Sequence, residues 1–262
     1  TCKSPQQMFG ALVKTYYPGQ AGIAPKDIFS VSLMPCTAKK FEAERPEMTS
    51  SGYQDVDVVL TSRELGRMIR EAGIDFQNLP DEEHDSPMGI STGAAAIFGA
   101  TGGVMEAALR TVYEVATGLD LPSIDFHEVR GLEGIKEAEV VLGDMKVRVG
   151  IAHGLANAKR ILEMVRDKER EYHFIEIMAC PGGCVGGGGQ PIPTNMEIRG
   201  IRGNALYVAD RLLPLRKSHE NDAVKQLYEE FLGEPLGEVS HRLLHTHYAE
   251  RSKYPVSRSA CD

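Results

Sequence analysis

Cys180 and Cys184 stand four residues apart in EIMACPGGCVGGGGQP, residues 176–191, with one proline and two glycines between them. A third thiol, Cys36, follows a proline in SVSLMPCTAKK, three residues before Lys39. Thiolates bind soft metal centres, and close spacing on small residues lets two sulfurs address one centre. The chemistry such sulfurs support is capture of a metal–sulfide cluster or of zinc. Gly186 to Gly189 carry no Cβ, so their backbone N–H groups can approach an anionic object. Lys39 beside such an object would be a charge partner and donor; by itself it reads as an ordinary solvated lysine.

The bland readings sit beside these. Cys36 alone reads equally well as a small buried hydrophobe. Met34 and Met178 precede the two cysteine turns at matching offsets and suit either a core or the apolar wall of a pocket. Glu42, Glu44 and Glu47 read as a solvated face. Zinc stays open, although its habitual second ligand pair is missing. His153 and His173 adjoin strand cores, and His84, His127, His219, His241, His245 and His247 read as structural or surface residues. His245 and His247, two apart on an expected C-terminal helix, face different sides.

The elements that must position these side chains are visible in the pattern. IFSVSLM (28–34) is a β-rich run stopped by Pro35, and YHFIEIM (172–178) reads as a buried strand ending at Ala179–Cys180. Both thiols therefore fall at strand carboxyl ends, where ligands sit in open α/β sheets. VVLTS is a further short strand, followed by a helix in SRELGRMIREAG with Leu65, Met68 and Ile69 at helical spacing and Gly73 at its end. Residues 77–90 read as loop. The stretch 91–118 is small and flexible in its first half, which implies close packing, and an amphipathic helix in its second. Gly143–Asp144 signals a hairpin, 155–167 a helix, and the chain past Pro193 is mostly helical up to a poorly ordered tail. Strands alternating with helices point to α/β architecture with largely parallel sheets.

Bulk properties narrow the classes. A chain of 262 residues can bury one large domain or two lobes. Its net charge of −8 argues against nucleic acid or an anionic membrane as the main partner and suits a cytoplasmic protein. No run approaches the roughly 20 apolar residues of a spanning helix. Five cysteines (Cys2, Cys36, Cys180, Cys184 and Cys261) are too sparse for a disulfide framework, so reduced thiols and metal ligands are expected.

MPCTAKKFEAERPE (34–47) and EIMACPGGCVGGGGQP resemble the second and third signature motifs of the iron-only, or [FeFe], hydrogenases. KSPQQMFG, DVDVVLTSRELGRMI, MGISTGAAAIFGATGGVMEAALR, VRGLEGIKEAEV and YHFIEIMAC are similar to the catalytic domain of that family, up to about residue 248. The resemblance implies two lobes of mainly parallel β-sheet flanked by helices, with the cluster between them. Residues 1–248 would be the catalytic domain, incomplete at its N-terminus, and 249–262 a tail. It implies a [4Fe–4S] cluster joined to a di-iron unit carrying CO, CN and a dithiolate bridge, together the H-cluster. Cys36, Cys180 and Cys184 would ligate the cubane, with Cys184 bridging to the di-iron unit. Lys39 would hydrogen-bond a cyanide, while Gln6, Met34, Phe98 and Met178 would line the di-iron pocket. Lys39 and Cys184 would thus stand nearest the chemistry, reversible interconversion of H2 with protons and electrons. The implied partners are ferredoxin or NAD(P)-linked flavin and iron–sulfur subunits, plus maturation proteins that build the di-iron unit.

The family's first motif, a threonine-serine-cysteine-cysteine-proline phrase, does not occur here. With it go a fourth cubane ligand and a proton-transferring cysteine, and Cys2 belongs to the phrase after that motif rather than to it. The expectation is a fragment of a longer subunit, unable alone to hold a complete cluster. Two other classes share the motifs: hydrogenase-like iron–sulfur proteins of cluster assembly, and sensory hydrogenase-like proteins that bind H2. Retention of Lys39, the MPC phrase and GGGGQP favours the enzyme.

Overall fold

The protein is described by a computed structural model covering residues 1–143 and 145–251. The turn residue Asp144 and the tail from residue 252, expected to be poorly ordered, lie outside the described residues. The first sheet is a parallel pair, β1 (Val31–Met34) and β2 (Val58–Thr61), with Met34 opposite Thr61. The second has order β3–β4–β5: β3 (Ile135–Leu142) and β4 (Met145–His153) form the expected hairpin, and β5 (Phe174–Met178) runs parallel to β4. Parallel neighbours need a crossover. Helix α3 (Ala38–Ala43) supplies it between β1 and β2, and α7 (Leu155–Arg166) between β4 and β5. Each crossover begins just after a strand end, which is where Cys36 sits in the first unit.

Helices wrap both sheets. α1 (Pro5–Val13) and the short α2 (Tyr17–Ala21) precede β1. α4 (Ser62–Glu71) starts from a reciprocal capping box between Thr61 and Glu64, so β2 passes into a helix without a loop. α5 (Gly93–Ile97) is the small-residue segment, and close packing does explain it: a Cβ on Gly93 would strike the Asp210 carboxylate, and one on Gly99 would lie 2.7 Å from Leu206. Both neighbours belong to α8 (Met196–Leu212). α6 (Gly103–Thr117) lays Met105 and Leu109 against Val129, Val140, Val149 and Ile151 of the second sheet's core. α9 (Asp222–Leu227) and α10 (Glu238–Leu244) return to the start of the chain, where Leu12, Leu232 and Leu243 form another core. Lys3 N–H donates to Leu244 O at 2.9 Å, and Arg45 reaches His247 O at 2.8 Å. α10 therefore stops before His245 and His247, which were expected within it: these residues are drawn out to meet the first residues of the chain.

One expected buried strand differs. β5 borders only β4, and its Phe174 and Ile177 are exposed while Glu176 is its one buried residue. The inward position serves a carboxylate, not an apolar side chain. Glu176 accepts from the N–H groups of Gly102 at 2.6 Å and Met105 at 2.8 Å, satisfying the first turn of α6.

Between α6 and α8 lies a buried ionic lattice. Arg110 donates to both carboxylate oxygens of Asp210 at 2.8 Å and to Glu106 at 2.7 Å. Arg130 bonds Glu106 and Asp125 at 2.7 Å, and Arg216 bonds Asp125 at 2.7 Å and Asp210 at 2.5 Å. Three guanidiniums meet three carboxylates, so the charges cancel. Burial by itself would push the Asp210 carboxyl up, but Arg110 and Arg216 hold it at about 2.

Candidate metal-cluster site

The turn after β1 and the turn after β5 meet. Gly189 N–H donates to Pro35 O at 3.0 Å, joining the residue before Cys36 to the glycine run after Cys184. A Cβ on Gly189 would lie 2.8 Å from Cys36 N, and one on Gly187 would collide with Pro35 O. Glycine is required there because two backbones touch. The far side of the loop is held in the same manner: Val185 N–H donates to Gly99 O and Thr101 N–H to Gly182 O, both at 3.0 Å, and Gly183 would meet Thr101 N at 2.7 Å. The expected role of these glycines is thereby corrected. The N–H groups of Gly186, Gly187 and Gly189 donate to Gly183, Cys184 and Pro35 carbonyls, so they are engaged in backbone bonds and do not face an anion. The glycines bring the thiols together by letting the turns touch.

Three sulfurs converge as a result. Burial pushes the Cys184 thiol up, Cys36 and Cys180 add to that through their own charge, and Lys39 pulls the other way. Cys184 has surface open to solvent, while Cys36 and Cys180 are half-buried. Tetrahedral zinc with sulfur bonds of about 2.3 Å holds its ligands roughly 3.8 Å apart. Among the described residues, only Glu114, His219 and Glu220 place three metal-ligating atoms within 4.8 Å of one another, and Lys217 bonds both of those carboxylates. At least one pair among the three sulfurs is therefore more than 4.8 Å apart in the metal-free chain. Three thiolates are a donor set that suits an iron–sulfur cluster, to which they offer three ligands. Cys2 lies elsewhere, exposed, with Sγ 3.9 Å from His245.

The side chains expected around the di-iron unit are tied to the same turns. Met34, half-buried, packs on Ala43, Val56 and Val59 under the first sheet. Met178 pairs across to His153 at the end of β5, and Phe98 caps α5 one residue before the Gly99 carbonyl that holds the loop. Gln6 is buried; it accepts from Ser32 Oγ at 2.8 Å and donates to Lys39 O at 3.3 Å. Lys39 Nζ bonds Glu42 at 2.8 Å, and Ser4 Oγ donates to the same carboxylate oxygen at 2.7 Å. Glu42 was expected on a solvated face and is instead the acceptor that fixes Lys39. Glu47 also turns inward, its side chain 8% exposed between Arg45 and Arg251, and only Glu44 of the three is exposed. The i,i+3 spacing of Lys39 and Glu42 on one helix was the signal available for the first pair.

Two arginines of α8 complete the cradle without any forewarning in the sequence. Arg202 donates to Val185 O at 3.2 Å and Pro191 O at 3.1 Å. Arg199, one turn earlier, lays its stem on Gly182, where a Cβ would be 3.4 Å from its Cδ.

Comparison with known proteins places this geometry. Residues 1–188 match the family described as iron only hydrogenase large subunit, C-terminal domain, and 196–251 match the iron hydrogenase small subunit family. The NADP-reducing hydrogenase subunit HndD of Solidesulfovibrio fructosivorans is 54% identical over 97% of this chain and 43% of its own length. The chain thus spans less than half of that relative. An apo [FeFe]-hydrogenase HydA1 variant from Chlamydomonas reinhardtii superimposes with a TM-score of 0.80 at 44% identity, covering 94% of this chain and 69% of that one. The cytosolic iron-sulfur assembly component 3 of Mus musculus is 31% identical over 95% of this chain and 53% of its own.

Proposed function

This chain belongs to the iron-only hydrogenase family, and from that premise we propose that it forms most of a catalytic domain that interconverts H2 with two protons and two electrons. The observation that carries the reading is the joint between Pro35 and Gly189, which gathers Cys36, Cys180 and Cys184 beside Lys39. On this reading residues 1–248 are the catalytic domain, and the fourth cubane ligand comes from outside these residues. Cys36, Cys180 and Cys184 would hold the [4Fe–4S] cubane, with Cys184 shared with the di-iron unit. When bound, the H-cluster supplies the electrons and the making or breaking of the H–H bond.

The chain's own residues do the rest. Lys39 offers an ammonium donor whose place is set by Glu42, and Glu42 is set by Ser4. Gln6, locked by Ser32, keeps the helix α3 backbone at Lys39 in register. Met34, Met178 and Phe98 exclude water from the pocket wall. Electrons would pass to a ferredoxin or to NAD(P)-linked subunits, as the name of the HndD relative suggests, and maturation proteins would deliver the di-iron unit. We place the protein in the cytoplasm; no helix among the described residues is long and apolar enough to cross a membrane.

The test is to load the longest expressed form with a synthetic di-iron cofactor and read H2 evolution together with infrared bands of CO and CN. Bands and turnover are expected. A well-assembled cubane that takes up no di-iron unit would instead favour the second reading, a cluster-assembly protein, which the 31% relative supports.

A further inference from the structure

Behind the loop that carries Cys180 and Cys184 is a cavity of about 260 Å3 that the site above does not use. Gly182 and Val185 form its floor, and Ala100 and Leu132 add apolar wall. Three donors on its lining have no partner: Thr101 Oγ1, Arg199 Nε and Tyr207 Oη. Thr101 is 2% exposed, so its hydroxyl is cut off from bulk water. Burial and the nearby Glu106 carboxylate push the Tyr207 phenol up, which keeps it a donor. Arg130 stacks over the Tyr207 ring at 4.3 Å and holds it in place, its own charge met by Glu106 and Asp125.

Charge decides what the cavity accepts. Among the described residues Arg199 and Arg211 have no carboxylate within ion-pair distance, and no aspartate or glutamate lines the wall. Arg199 has a single weak acceptor, Met196 Sδ at 3.2 Å. A half-buried guanidinium whose Nε is enclosed, lining the same cavity as two idle hydroxyls, calls for an acceptor that is also negative. The apolar wall favours a singly charged carboxylate over the more strongly hydrated phosphate.

We propose that this cavity binds a small free carboxylate of the formate or acetate class, held by Arg199, Tyr207 and Thr101. Such an anion lies against the Gly182–Val185 segment, so it also adds negative charge beside whatever cluster the loop carries, a consequence that rests on the function proposed above. The primary test needs no cluster. The longest expressed form of the protein, without iron, is titrated calorimetrically with acetate, formate, chloride and phosphate at constant ionic strength. Acetate and formate are expected to saturate one site. Arg199→Met, which keeps the stem on Gly182, should weaken binding about tenfold or more, and Tyr207→Phe and Thr101→Val several-fold each, with unchanged circular dichroism. Absence of saturable binding, equal affinity in all three variants, or density for water alone at 20-fold excess of acetate over a working concentration of roughly millimolar protein would overturn the proposal. In the cubane-loaded protein, acetate should lower the midpoint potential of the wild type and leave Arg199→Met unmoved; binding without that shift would remove only the coupling.

Discussion

The ionic lattice between α6 and α8 and the thiol loop after β5 are built on opposite plans. In the lattice every charge has its counter-charge: Arg110 and Asp210 are both fully buried and bonded twice. In the loop the backbone is tied down on both sides, Gly189 to Pro35 and Val185 and Gly182 to Gly99 and Thr101, yet the three thiols are left over. A set in which every charge is met makes a post. A set that anchors its backbone and strands its side chains makes a socket. The post holds α8 in place, and α8 in turn holds the socket through Arg202.

That contrast can be broken from either side. Cys184→Ala should abolish iron retention, seen as loss of the visible cluster absorbance, while the thermal midpoint of the apo protein stays put, because the thiol is partly open and packs little. Asp210→Ala should do the reverse, leaving Arg110 and Arg216 short of one buried counter-charge, with Glu106 as the remaining fully buried partner of Arg110, at a cost of about 3–5 kcal/mol in chemical unfolding. If both variants moved both observables together, socket and post would be one unit. Next in size, Gly187→Ala drives a methyl into Pro35 O and should cost about 1–3 kcal/mol and lower iron occupancy, since it parts the two turns.

The acid limb gives a further separation. Asp210 has a folded pKa of about 2, below its unfolded value. Its stabilisation is complete above the unfolded pKa and is lost as pH falls through the folded one, so roughly 2 kcal/mol should disappear between about pH 4 and pH 2. Asp210→Asn should flatten that limb in pH-dependent urea melts, and an unchanged limb would assign it elsewhere. The smallest effect belongs to Glu42→Gln. Lys39 and Glu42 are about a quarter exposed, so stability should fall by no more than about 1 kcal/mol even though Lys39 loses its fixed position.

How much of this the sequence announces follows the range of the interaction. Cys36 and Cys180 at strand ends are legible because a β-rich run and its terminator are local. The Lys39–Glu42 pair was open to view at helical spacing, and reading the acids as a solvated face missed it. The Glu in the middle of FIEIM was likewise a visible irregularity, whose purpose depends on a helix terminus some seventy residues away. The glycine run was recognised but misassigned, since only the folded chain reveals that its neighbour is Pro35. Asp210, Arg199 and Arg202 carry no local signal, and Arg110 shows only its i,i+4 spacing from Glu106: each is an ordinary polar residue on a helix until a partner about a hundred residues away, or a loop some fifteen residues back, arrives.

The joint between Pro35 and Gly189 also sets a clock. A ribosome adding 5–20 residues per second, a rate of this order being usual, needs roughly 7 to 30 s to pass from Cys36 to Cys184, 148 residues later. Through that interval Cys36 has neither Cys180 nor Cys184 beside it. The three-thiol socket therefore closes only once synthesis has passed the glycine run, so a cluster that needs all three sulfurs is seated late.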